Sequence, residues 1–279
     1  MRNEYIKGIK SLLLGLLGVG VLIAQTPTDS IPVARAVPNF PIEPVLEKGF
    51  DGKSDNPMSP ITVTVLSPKP LELCPVNEVD FFFQVTNYSM APDGNRLHAI
   101  LDNQSPVAID QLKRPLTLKE LSPGGHTLRV FAVKPDGRMV ADPQAFAMIY
   151  FYVIKKDYQN YINPNTPFLT LNMPSIDPVD SVPEGVVWLD YRIHTLSDQG
   201  KGLKVRYRLS NIQGIDEVGK GIFWKNLKVG RYDLSVDLID SAGNAVSGIF
   251  NRVLRVFDVR SVQKAILPTS EGQPVVPQE

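Results

Sequence analysis

From Ile61 onward the chain is written in short stretches that alternate apolar and polar positions or run continuously apolar. ITVTVLS from Ile61, VDFFFQV from Val79, RLHAILDN from Arg96, RPLTL from Arg114, HTLRVFAV from His126 and FAMIYFYV from Phe146 all read as strands. Turn chemistry separates them: APDGN, SPGG and KPDG supply the proline, aspartate and glycine that reverse a backbone. A second series follows: FLTLNM, GVVWLDYRI, LKVRYRL, GIFWKNL, RYDLSVDLI and FNRVLRVFDV, with DSAGN standing where KPDG stood. No helical period survives past the N-terminus.

The second series rewrites the first. With an offset of 106 positions, Gly124 meets Gly230, Leu128 meets Leu234, Gly137 meets Gly243 and Phe151 meets Phe257. At the same offset FFFQV from Phe81 falls on VWLDY from Val187, and His194 falls on Tyr88. LHAILDN against VRYRLSN needs a small insertion. A period this long denotes tandem domains, not a solenoid. About seven short strands in about a hundred residues is the pattern of an antiparallel sandwich.

The recurring L-x-x-G-x-[aromatic]-x-L-x-V, followed by a turn and another apolar strand, resembles the end of an immunoglobulin-like or fibronectin type III-like module. In that family an aromatic near the start of the penultimate strand forms a corner with upstream backbone. The resemblance puts Tyr232 in that place, and His126 in the first unit. It implies an all-β chain of two tandem Ig-like sandwiches, 61–154 and 168–259, joined by a polar, hinge-capable linker at 155–167. It implies no activity, because such modules serve many roles.

The N-terminus changes the picture of location. Arg2, Lys7 and Lys10 precede the apolar run from Ser11 to Ala24, so residues 1–24 read as a signal peptide, or as a membrane anchor over 6–24. Ala24 and Ala36 mark two conceivable cleavage points. Either reading exports the rest, to the periplasm, the exterior or a membrane tether. Many of the chain's 24 prolines fall in 25–60, which reads as a disordered spacer, and 260–279 reads as a similar tail.

Charge and chemistry narrow the function further. Lys plus Arg and Asp plus Glu number 29 each, which leaves no footprint for nucleic acid or an anionic surface. The single cysteine, Cys74, excludes an internal disulfide and reads as a buried hydrophobe. His98, His126 and His194 form no metal or nucleophile pattern. GIDEVGKG from Gly214 nearly matches a phosphate-binding loop, but Gly221 lacks the required hydroxyl and a strand follows, so it reads as a loop between strands. Asp177, Asp180 and Glu184 share one loop and could hold Ca2+, though in no known loop spacing. Asn87 and Asn103 begin glycosylation sequons, which matter only in a glycosylating host.

The sequence therefore reads as a non-enzymatic, cofactor-free exported module that presents two sandwiches to another cell-envelope protein. The alternative is polysaccharide binding by exposed aromatics. Tyr88, Tyr158, Tyr161 and Trp224 are the candidate contact residues in either case. Trp188 and Trp224 stand in apolar strands, where a core role competes.

Overall fold

The computed structural model describes residues 44–45, 60–175, 179–180, 187–195, 201–217 and 222–260. Residues 1–24, all of the proline-rich stretch except Pro44, Val45 and Pro60, Asp177, Glu184, the side chain of Asp180 and the tail beyond Arg260 lie outside them. The strands are β1 (Pro44–Val45), β2 (Thr62–Ser67), β3 (Leu73–Cys74), β4 (Val79–Thr86), β5 (Arg96–Leu101), β6 (Val107–Ile109), β7 (Leu116–Leu118), β8 (Gly124–Val133) and β9 (Phe146–Val153). They continue as β10 (Phe168–Met173), β11 (Val179–Asp180), β12 (Val187–His194), β13 (Lys204–Leu209), β14 (Ile212–Glu217), β15 (Ile222–Trp224), β16 (Gly230–Ile239) and β17 (Arg252–Arg260). Among the described residues no helix is long and apolar enough to cross a membrane.

Two sandwiches result. In the first, the sheet β2-β4-β7 faces the sheet β3-β9-β8-β5-β6. In the second, β1-β15-β12-β10 faces β11-β17-β16-β13-β14. All pairings are antiparallel except β3 with β9 and β11 with β17. Period-two alternation puts Phe81, Leu97, Leu128, Val130, Phe151 and Val153 into one core, and Leu169, Leu189, Val205, Trp224, Val236 and Phe257 into the other. Each such side chain contributes about 1.5–3 kcal/mol by leaving water.

The repeat is real but its offset is not uniform. β8 and β16 match at 106 positions, as do β2 and β10. Val65 lies opposite Phe83, while its counterpart Leu171 lies opposite Tyr191, so β4 and β12 match at 108. FFFQV therefore corresponds to LDYRI, two residues beyond the match made on sequence. His194 consequently answers to Thr86 and not to Tyr88. The phosphate-loop look-alike also differs from expectation, because Gly214–Glu217 belongs to strand β14.

The sandwiches share a polar seam. β10 is the last strand of its sheet, so its outer carbonyls have no strand partner. Arginines supply the donors. Arg129 of β8 is fully buried, and its guanidinium donates to the Leu169 carbonyl at 3.0 Å, to the Thr170 hydroxyl at 3.3 Å and to the Asp102 carbonyl. Arg255 of β17 donates to the carbonyls of Leu171, Asn172 and Pro174 at 2.8, 3.0 and 2.7 Å. A flat fork with five donors suits several carbonyls at once.

Asn172 sits at the centre of the seam. Its amide nitrogen donates to the Gly137 carbonyl and to Asp190, so its oxygen is left to accept from His98 Nδ1 at 2.7 Å. Burial holds the Asp190 carboxyl up at about 6, against the hydrogen bonds from Asn172 and Met139. His194 lies between the rings of Phe146 and Phe168, at 4.0 and 4.4 Å. Burial, with the charges of Arg192 and Arg129, holds it well below the usual histidine range and therefore neutral.

Candidate functional site

Beside the seam, the segment 155–167 is laid across the outer face of β8 and β9. The Tyr150 hydroxyl donates to the carbonyls of Asp157 and Gln159, both at 2.8 Å. The Thr127 hydroxyl donates to the Asn160 carbonyl at 2.5 Å, and the Asn160 amide donates back to the Gly125 carbonyl at 3.1 Å. Gly125 N–H and Gln159 N–H both donate to one Asp157 oxygen. These bonds, the Gly125 N–H first among them, hold the Asp157 carboxyl below its ordinary value. Gly125 has to be glycine, since a Cβ there would stand 1.8 Å from the Tyr150 hydroxyl. These bonds tie residues 157–160 of the linker to β8 and β9.

This anchoring builds a row of tyrosines. Tyr152 meets Tyr150 edge-on at 5.2 Å, Tyr150 meets Tyr161 at 5.0 Å, and Tyr161 meets Tyr158 at 6.5 Å. The inner two are buried, and burial pushes the Tyr150 hydroxyl up to about 12. The outer two face water, Tyr161 at 42% and Tyr158 at 83% exposure. Lys156 reaches over the Tyr152 ring at 5.7 Å. An aromatic ring held in water by a rigid support loses little conformational entropy when a partner covers it.

The support makes a testable claim. Tyr150→Phe removes the hydroxyl and leaves two carbonyls without that donor, so it is expected to cost about 1–2 kcal/mol. Amide exchange of Asp157–Tyr161 should then quicken while that of the β8 core stays slow. Unchanged exchange would mean the segment is held by something else.

The other two sequence candidates do not join the row. Tyr88 is half-buried against the first core, and its hydroxyl donates to the Val133 carbonyl at 2.5 Å. Burial pushes that hydroxyl up to about 12. Trp224 is fully buried and meets Tyr207 edge-on at 5.8 Å. As an exposed contact residue Trp224 is thus corrected: β15 turns it into the second core. Sequence reasoning missed Tyr150, whose exposed-looking strand position conceals its role as the support.

A second polar feature opens in the first sandwich. Gly124 and Gly230 take φ of +139° and +157°, which side chains rarely adopt, and the aromatic corner follows each. The Tyr232 hydroxyl donates to the Lys228 carbonyl at 2.9 Å, and its ring stacks on Phe257 at 5.6 Å. His126 Nε2 makes the same bond to the Ser122 carbonyl at 2.8 Å, and its ring stacks on Phe151 at 5.7 Å. Histidine here replaces the corner tyrosine, as the sequence suggested. Its Nδ1 lies 2.9 Å from the Asp102 carboxylate. Both nitrogens face acceptors, an arrangement that favours the doubly protonated imidazolium. A cleft of about 270 Å³ lies above this pair, lined also by Gln104, Val107, Leu118 and Glu120.

The corner has a pH signature. Burial opposes the His126 charge, but the Asp102 hydrogen bond, the Ser122 carbonyl and the Asp102 and Asp157 charges outweigh it and raise its pKa. A raised folded-state pKa gives stability that is complete below the unfolded value, near 6.5, and lost as pH climbs through the folded one. His126→Tyr installs the corner used in the second sandwich. Relative to this variant, the wild type should lose stability as pH rises above about 6.5 in denaturant unfolding. A difference independent of pH would remove the imidazolium.

No family model matches the sequence, and no curated protein matches it. Some solved structures are similar over much of the chain. The fibronectin(III)-like modules of Clostridium thermocellum CbhA are 14% identical over 72% of this chain and 95% of theirs, with a TM-score of 0.27. The central fibronectin-III array of RIM-binding protein is 13% identical over 81% of this chain and 74% of its own, with a TM-score of 0.24. The Bacteroides ovatus mixed-linkage glucan utilization protein SGBP-B, solved with a heptasaccharide, is 12% identical over 72% of this chain and 47% of its own, with a TM-score of 0.23.

Proposed function

We propose that the protein is a non-enzymatic exported binding module that holds another cell-envelope protein through the tyrosine row. The observation that carries this reading is Tyr158, 83% exposed and standing on a segment tied to β8 and β9. Export rests on the basic residues Arg2, Lys7 and Lys10 ahead of the apolar run Ser11 to Ala24. A polysaccharide would stack on coplanar rings, whereas Tyr158 and Tyr161 stand at 80° to one another. That angle forms a notch, and it favours a protein side chain over a sugar face.

The test is capture from envelope extract on immobilised wild type and on the Tyr158→Ala variant. One protein retained by the wild type should fall roughly tenfold on the variant, the loss of one exposed aromatic anchor. Equal retention by both, or none above background, would contradict the reading. Retention of the chain on a polysaccharide column that disappears with Tyr161→Ala would transfer the site to a sugar.

A further inference from the structure

The edge of β7 has a counterpart whose use is on view. β7, Leu116–Leu118, answers to β15, Ile222–Trp224, at the offset of 106. On the side of β15 away from β12 lies β1, antiparallel, with Pro44 opposite Trp224 and Val45 opposite Phe223. β7 is the last strand of its own sheet, and the facing sheet ends on the same flank at β6. The cleft of about 270 Å³ opens between these two edges. Leu116 and Leu118 from β7 and Val107 from β6 form its walls, and His126 with Asp102 lies at its floor.

Val107 is 41% exposed. Open strand edges and a cleft that carries Leu116, Leu118 and Val107 among polar side chains thus meet at one place, with Arg114-Pro115 and Lys119-Glu120 flanking β7. Such an edge gives backbone bonds to an added strand, and a flanking cleft takes its alternate side chains. We propose that the β7 edge and this cleft are a strand-acceptor site for an extended aliphatic segment of a partner protein, added antiparallel as Pro44–Val45 is added to β15. The surface is separate from the tyrosine row, so either can fail without the other. The closed corner beneath keeps the site in shape, because His126 and Asp102 tie the start of β8 to the end of β5.

The probe is a synthetic peptide of residues 41–48, PIEPVLEK, which contains the Pro-Val pair that β15 accepts. It is added to the full chain while amide exchange is followed residue by residue. Exchange at Leu116–Leu118 should slow roughly tenfold at saturation. A peptide with aspartates in place of that Pro-Val pair should leave it unchanged, and Val107→Glu should abolish the slowing without moving the thermal midpoint. Unaltered exchange at β7 with millimolar peptide would overturn the site, as would slowing that the aspartate peptide reproduces. Protection of β7 that appears in the chain alone with rising concentration, alongside a dimer, would overturn the partner protein as occupant in favour of a second copy.

Discussion

Trp224→Ala is expected to destabilise the second sandwich by about 4 kcal/mol, in the range of large-to-small changes in a closed core. Trp224 is the largest of the fully buried side chains, and it packs with Tyr207 among Leu169, Leu189 and Val236. Its removal leaves a cavity that surrounding strands cannot close. Trp224→Phe should cost far less. The indole Nε1 has no hydrogen-bond partner among the described residues, so losing that N–H sacrifices nothing and keeps most of the apolar volume. Denaturant unfolding of the three proteins reads the difference. Near-wild-type stability of the alanine variant would put Trp224 outside the core.

Arg129→Met should cost about 3 kcal/mol, although it swaps a buried charge for an apolar side chain of similar length. Two effects compete. Burial, and then the charge of Arg255, lower the Arg129 pKa to about 9, so removing the charge brings relief. Against this, the carbonyls of Leu169 and Asp102 lose their buried donor, at about 1–3 kcal/mol each. The Leu169 carbonyl is fixed by its strand and the Asp102 carbonyl by the turn after β5, so the loss should win. Amide exchange on β10 should quicken while the core of β8 stays protected. Stability equal to or above wild type would show that desolvation of the guanidinium dominates.

What the sequence made legible follows from periodicity. Strands with a dry and a wet face, such as β4 and β13, announce themselves, and the corner residues His126 and Tyr232 are readable because they close local turns. The pairing of β4 with β12 was misplaced by two residues because Phe and Val at alternate positions fit either offset. Arg129, Asn172 and Arg255 were invisible for a different reason. Polar residues on a strand normally mean solvent, and only the packing around the edge strand β10 buries these: Arg129 reaches it from the first sandwich, Arg255 from the facing sheet of its own, and Asn172 lies on it. The ties from 157–160 to β8 and β9 were likewise hidden, since tyrosine, aspartate and asparagine in a linker look soluble until their partners are known.

The central claim is that Tyr158 meets a partner protein. A photo-crosslinking amino acid placed at position 158, expressed in the protein's own cells, tests it without purification. Thr64, exposed on β2, serves as the control position. Irradiation should join position 158 to one envelope protein, and the adduct should be absent at position 64 and weakened by Tyr161→Ala. No adduct at 158, or the same adduct at both positions, would contradict the account.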